Sequence, residues 1–258
     1  MIPIADKKKE AHFHYVLRLA DNCLILGHRL SEWCGKGPQL EEDIALINIA
    51  LDHIGRARSL YDYAALLQGL DKTQDDLAYR RDAWDFKNNL LLEQTNGDYA
   101  KTIVRSFLYD VFAHGQYRAL ASSTDETLRA IAEKSNKEIA YHLVHSKEWM
   151  LRLGDGTAES NARTNMALNE LWKYTGDLFV CTPAELPLIE KGVIPDPELL
   201  KTKWHSDVQA ILDEAGLVKP AATFMQSGSQ DGKHTEHLGY LLAEMQFLQR
   251  AYPDAVWD

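Results

Sequence analysis

The segment Ile103-Val-Arg-Ser-Phe107-Leu-Tyr-Asp110-Val-Phe-Ala-His114-Gly-Gln-Tyr117 places Ile103, Phe107, Asp110, His114 and Tyr117 at steps of four, three, four and three. That is the period of one face of an α-helix and excludes a strand, whose faces alternate every second residue. The face is apolar at both ends and carries an acid at its middle. Three other segments have the same form. Leu17, Asp21 and Leu24 share one face, Asn48, Leu51, Asp52 and Gly55 another, and Ile131, Ser135, Glu138, His142 and Trp149 a third.

Breakers around these segments set the expected elements. The first long helix is expected over about His12 to Trp33, ended by Gly35, Gly37 and Pro38. The second is expected from about Glu41 to Leu67, with Glu41, Glu42 and Asp43 in its first turn, where the helix dipole favours negative charge, and Gly69 as its stop. Residues 70–97 then read as a long connection with one short helix near Asp76–Glu93. A third long helix is expected over about Asp98 to Ser122 and a fourth from a Ser123/Glu126 capping box to Gly154. Further helices are expected at about Asn161–Phe179, Pro197–Glu214 and Thr235–Ala251, with an irregular linker from Pro183 to Pro197 and a loop over 218–233. Four long helices with the long connection between the second and third are the signature of the ferritin-like four-helix bundle. The expectation is an all-α chain forming a single ferritin-like domain over 1–258, with a core bundle at about 12–154 and additional C-terminal helices at about 159–251.

The four mid-helix acids bear on chemistry. A buried carboxylate costs several kcal/mol unless it is paired or bound to metal. Ferritin-like di-iron proteins bury four of them by design: one Glu from each of two helices, and Glu-x-x-His from each of the other two. Asp21, Asp52, Asp110 and Glu138 match that pattern in number and level. The imidazoles do not. Three residues after Asp52 stands Gly55, which has no side chain to ligate with, and three after Glu138 stands Tyr141, a poor ligand while protonated. His142 is one residue further on, about 100° around the helix. Three of the four acids are Asp, a methylene shorter than Glu. Three readings follow: a working di-iron site with a shifted His142, a degenerate site held by counter-charges such as Arg18, Arg56, His53, His114 and His142, or unrelated core acids. The absent histidines favour the second. On that reading no catalytic residue, no cofactor and no metal belongs to this chain.

Composition limits the alternatives. The chain of 258 residues is 45% hydrophobic and 26% charged, an ordinary globular balance. Lys and Arg number 28 against 38 Asp and Glu, a formal charge of -10. Such a surface repels phosphate backbones and argues against nucleic acid as a partner. Cys23, Cys34 and Cys181 share no C-x-x-C spacing, so neither a disulfide framework nor a zinc cage is expected. No apolar run approaches the roughly 20 residues of a membrane helix, and the N-terminus lacks a signal-peptide core. The expectation is a cytoplasmic chain with no membrane contact. No G-x-G-x-x-G loop, Walker motif or G-x-S-x-G elbow is present.

Several stretches resemble the C-subunit family of the ring-1,2-phenylacetyl-CoA epoxidase, also called phenylacetate-CoA oxygenase. They are Leu17-Arg-Leu-Ala-Asp-Asn-Cys-Leu24, Leu30-Ser-Glu-Trp-Cys-Gly35, Leu91-Leu-Glu-Gln-Thr-Asn-Gly-Asp-Tyr99, Lys137-Glu-Ile-Ala-Tyr-His-Leu143, Lys233-His-Thr-Glu-His-Leu-Gly239 and Leu242-Ala-Glu-Met-Gln-Phe-Leu-Gln-Arg250. In order, they cover most of the chain. The resemblance implies a metal-less ferritin-like subunit in a complex that adds one oxygen atom of O₂ across the aromatic ring of phenylacetyl-CoA. The implied partners are a catalytic di-iron subunit, a small bridging subunit, and a reductase carrying flavin and iron–sulfur groups and using NADPH. It implies no catalytic residue here, because this family has none to carry over. When isolated, the docking face is open to a homodimer.

Smaller features have plainer readings. Lys233, His234, Glu236 and His237 open the last helix after the flexible Ser227-Gly-Ser-Gln-Asp-Gly stretch. They read as a capped helix start, and as candidates for contact with a partner or a CoA phosphate. Trp84, Phe86 and Leu90–Leu92 read as packing of the connection, Tyr61 and Tyr63 as helix packing or flanks of a former metal site, and Trp204 and Trp257 as hydrophobic anchors.

Overall fold

The computed structural model describes residues 2–221 and 224–255, and Trp257 lies outside them. Among the described residues every regular element is an α- or 3-10 helix. The fold class is all-α and ferritin-like, with additional C-terminal helices. The α-helices are α1 (Glu10–Ser31), α2 (Leu40–Gln68), α3 (Gln74–Tyr79), α4 (Tyr99–Leu120), α5 (Glu126–Gly154), α6 (Ala158–Leu171), α7 (Leu186–Glu190), α8 (Pro197–Glu214), α9 (Glu236–Met245) and α10 (Phe247–Ala251). Two compact units are present. One joins the residues up to Thr95 with those from Gly228 onward, and the other is Asn96–Ser227.

In the first unit α1 and α2 pack along each other. α1 is buried on nearly all sides from Phe13 to Leu30, as expected of a helix at the centre of its unit. Gly27 lets the two helices approach closely: a Cβ there would lie 2.9 Å from Ile54 Cδ1 and 3.3 Å from the Ala50 carbonyl. α2 ends where Gly69 turns left-handed at φ 66° and donates to the Ala65 carbonyl. α3 begins with a reciprocal Thr73–Asp76 capping box.

The connection is less helical than its pattern suggested. α3 stops at Tyr79, and only a 3-10 turn, Ala83–Asp85, follows. The reason lies in backbone donors: the Lys87 N–H is taken by Asp21, and the Asn89 N–H by the Asn22 side chain at 2.7 Å. Groups bound to α1 in this way are unavailable to a helix ladder. Near the C-terminus the expected single helix is two, α9 and α10. Between them the buried Gln246 amide donates to the Ala78 carbonyl at 3.1 Å and the Arg81 carbonyl at 3.0 Å.

In the second unit α4 and α5 form the long pair, with α6 and α8 against them. Asp98 caps α4 through the Lys101 N–H. The expected Ser123/Glu126 box does not cap α5. Asp125, two residues further on, accepts from the Leu128 N–H at 2.8 Å, while Ser123 donates to the Val193 carbonyl. α6 starts earlier than expected because Thr157 and Ser160 cap it, and it tightens into a 3-10 helix over Trp172–Phe179. The stretch after Pro183 is not wholly irregular, since it holds a 3-10 turn and α7. Trp204 anchors α8. It is fully buried, stacks near Trp172 and Phe179, and donates to the Leu108 carbonyl at 2.8 Å.

Gly55 lies on the outward side of α2, and a Cβ there would meet nothing within 4 Å. Gly55→Ala is therefore expected to stabilise the chain by about 0.5–1 kcal/mol, the cost of glycine within a helix. Urea denaturation of the two proteins measures the difference.

Candidate functional site

The acid on α1 is held by donors from three other segments of the first unit. Asp21 has no solvent exposure. Tyr61 on α2 donates to Oδ1 at 2.6 Å. Arg81, just beyond α3, forks onto the carboxylate, with Nη1 on Oδ2 at 3.1 Å and Nη2 on Oδ1. The Lys87 N–H donates to Oδ2 at 2.8 Å. Both oxygens are thus filled by protein donors. Arg81 is buried too. Its Nη1 reaches the Asp85 carbonyl at 2.9 Å, and its guanidinium lies 4.1 Å from the Phe86 ring centre. Burial pushes the pKa of Arg81 down, but the charge and hydrogen bond of Asp21, with Tyr61 and Asp85, together outweigh it and hold the pKa above its ordinary value. Burial, with the adjacent Asp21 charge, pushes the Tyr61 phenol well above its ordinary range.

Arg81 was not among the counter-charges the sequence suggested. It belongs to Tyr79-Arg-Arg-Asp82, in a connection with no helical period to show which side faces inward. Tyr61 is a direct partner of Asp21 rather than general packing.

A second buried acid lies in the same connection. Glu93 has no exposed side-chain surface, and it gathers donors from Asn88, His234 and Thr235. The His234 ring is bound on both sides: Nδ1 lies 2.8 Å from Glu93 Oε2 and Nε2 lies 2.9 Å from the Phe86 carbonyl. Both neighbours offer acceptor oxygens, and an imidazolium, donating from both ring nitrogens, satisfies both. Burial pushes its pKa down, but the Glu93 hydrogen bond and charge, the Phe86 carbonyl and the charge of Asp21 outweigh burial and raise it. Arg29 completes the network, donating to the Glu93 carbonyl at 2.9 Å and the His237 carbonyl at 3.0 Å. Of the four residues singled out here by sequence, His234 is turned inward to Glu93 and His237 is half-buried, while Lys233 and Glu236 face solvent.

On α2 the buried stripe is Leu46, Ile49, His53, Arg56, Leu60 and Ala64, one residue later than the stripe read from sequence. Asp52 sits beside it, half-buried, and Gly55 opposite it. In the second unit Asp110 is buried at mid-α4 as its pattern indicated. The buried stripe of α5 runs through Ala132, Ser135, Ile139, His142 and Ser146. Glu138 is half-buried beside that stripe, and Tyr141 is 54% exposed. Within this unit a carboxylate oxygen of Asp110 and a ring nitrogen of His142 come within 4.8 Å.

These residues do not make a di-iron ligand set. One carboxylate and one imidazole meet in the second unit, a pairing that suits iron or zinc chemically. Three residues before His142, however, where Glu-x-x-His needs its acid, stands Ile139. On α2 the buried pair at that spacing is His53 and Arg56, and a buried guanidinium repels a metal cation. Asp21 has given its oxygens to Arg81, Tyr61 and Lys87. The ligand set is degenerate.

A family model described as "Phenylacetic acid catabolic protein" matches residues 3–257. The C subunit of the 1,2-phenylacetyl-CoA epoxidase of Escherichia coli (strain K12) is 45% identical to this chain over 243 residues, covering 94% of this chain and 98% of that one.

Arg81→Met, which strands the buried Asp21 charge, is expected to destabilise the chain by about 3–5 kcal/mol, and adding Asp21→Leu should restore most of the loss. A double-mutant cycle by urea denaturation tests this. The His234–Glu93 pair contributes stability that is complete below the ordinary histidine value of 6.5 and is lost as pH rises through the raised folded-state value. Denaturation from about pH 6 to about pH 9 should show the wild type losing stability that His234→Gln never had. Parallel curves would count against the pairing.

Proposed function

We propose, because this chain belongs to the phenylacetic acid catabolic protein family, that it is the structural, non-catalytic subunit of a multicomponent phenylacetyl-CoA ring epoxidase. In this reading it pairs with a catalytic di-iron subunit, which it holds in a substrate-competent state. A reductase with flavin, iron–sulfur groups and NADPH, together with a small bridging subunit, delivers electrons to the catalytic chain. The likeness to the Escherichia coli protein over nearly the full length of both chains supports this assignment.

The observation that carries the non-catalytic part is the state of Asp21. A carboxylate that bridges or terminates two irons must have lone pairs to give, and here four donor contacts occupy both oxygens. The arginine that supplies two of them brings its own positive charge. Ile139 and Arg56 support the same reading from other helices. A cytoplasmic setting belongs with this proposal, and no described helix is long and apolar enough to cross a membrane.

One observation favours a second reading. The meeting of Asp110 with His142 leaves a carboxylate and an imidazole within reach of a single ion, which suits a ferritin-like oxygenase or hydroxylase working through a divergent ligand set. Iron content separates the two. After anaerobic loading with ferrous iron and desalting, the chain is expected to hold close to no iron, and ring oxygenation by the reconstituted complex is expected to vanish when this chain is withheld. Stoichiometric iron that is lost in both Asp110→Ala and His142→Ala, with turnover by this chain alone, would establish the second reading instead.

A further inference from the structure

The C-terminal helices turn an apolar face to solvent. Gly239, Tyr240, Ala243, Phe247, Ala251 and Tyr252 are all exposed and recur at helical spacing across α9 and α10. Tyr240 is 72% exposed, Phe247 64% and Tyr252 60%. Contiguous large apolar groups on one face are unusual for a surface with no partner. The face is not flat. Leu242, Ala243, Gln246 and Phe247, with Asp82 and Ala83 opposite, line a groove of about 540 Å³, and glycine and alanine on its walls leave room for several bulky side chains. A second groove of about 510 Å³ adjoins the end of α10, by Tyr79 and Tyr252.

The platform is preorganised. Gln246 is tied to the Ala78 and Arg81 carbonyls, the His237 carbonyl to Arg29, and the Thr235 N–H to Glu93 at 2.6 Å. A face held this firmly loses little freedom on binding, so more of its apolar contact appears as affinity.

Charge selects the occupant. Glu236 and Glu244 are exposed on α9, and the exposed Asp75 borders the second groove. The nearby arginines already have acceptors: Arg250 holds Asp82 at 2.7 Å and the Arg81 carbonyl at 2.9 Å, and Arg80 holds Asp76 and the Pro253 carbonyl. Lys233 is the exposed base on the loop before α9. A second copy of this chain would bring the same face, with Glu236 and Glu244, against itself, on a molecule of net charge -10.

We propose that the outward face of α9 and α10 docks an apolar helical segment of a different protein chain, one flanked by Lys or Arg. This rests on the complex-subunit reading for the partner's source, and on the groove and its charge for the partner's chemistry. Aromatic anchors seat in the groove and exclude water, and the acidic rim steers the basic flanks.

The test uses the full chain and a fluorescein-labelled amphipathic leucine–lysine helix as probe, followed by anisotropy, with a leucine–glutamate helix as counterpart. The lysine peptide is expected to bind, to weaken at about 0.5 M salt, and to bind at least about tenfold better than the glutamate peptide. Tyr240→Glu/Phe247→Glu should weaken it by about tenfold or more, while Met166→Glu, at an exposed position elsewhere, should not. Both variants alter exposed side chains, and circular dichroism checks that each remains folded. No binding, equal binding of both peptides, or an equal loss in Met166→Glu would overturn the proposal. So would sedimentation showing a dimer of this chain that the double variant dissociates. Assembly with the catalytic and bridging subunits is read separately by sedimentation, so failure of the complex-subunit reading leaves the peptide result standing.

Discussion

A carboxylate with no access to water lies at the middle of α1, and the fold of the first unit is arranged around neutralising it. Asp21 draws a guanidinium from beyond α3, a phenol from α2 and a backbone N–H from the connection that follows. Three segments distant in sequence are thereby fixed to one helix. The same demand bears on the course of the connection: residues 86–89 run without helix, with the Lys87 and Asn89 donors committed to Asp21 and Asn22. A buried ion pair of this kind adds little net stability over a well-packed apolar replacement, but losing one member is severe. Its contribution is to specify one arrangement of chain segments and to exclude others.

The Glu93 cluster extends that arrangement to the C-terminus. His234, Thr235 and Asn88 converge on a second fully buried carboxylate, and Gln246 and Arg29 tie the following helices to backbone carbonyls. The last helices therefore belong with the first ones, although the whole second unit separates them in sequence. Their inner side is held by polar bonds, and their outer side is left apolar and grooved.

A di-iron centre and the Asp21 network make incompatible demands on the same kind of residue. Metal ligation needs carboxylate lone pairs and neutral imidazoles. Here the α1 acid is saturated by donors, the α2 stripe carries a buried arginine, and the α5 stripe carries isoleucine where an acid would stand. Asp110 and His142 are the part of the pattern in which ligand groups still meet. Such a chain keeps the helical scaffold with a degenerate ligand set.

The sequence by itself determined the helical class, the four long helices and most of their ends, because these depend on local period and on breakers and caps such as Gly69 and Asp98. It also placed Asp21 and Asp110 in the interior, since each interrupts an otherwise apolar stripe. Tertiary structure decided the rest. On α2 and α5 apolar residues occur on more than one face, so periodicity left the rotation of each helix uncertain by one residue. Packing settled it by burying His53 and His142 and turning Gly55 and Tyr141 outward. The partners of Asp21 and Glu93 were equally out of reach. Arg81 and His234 lie in connections without a repeating pattern, and only the folded chain brings their charges to the acids they neutralise.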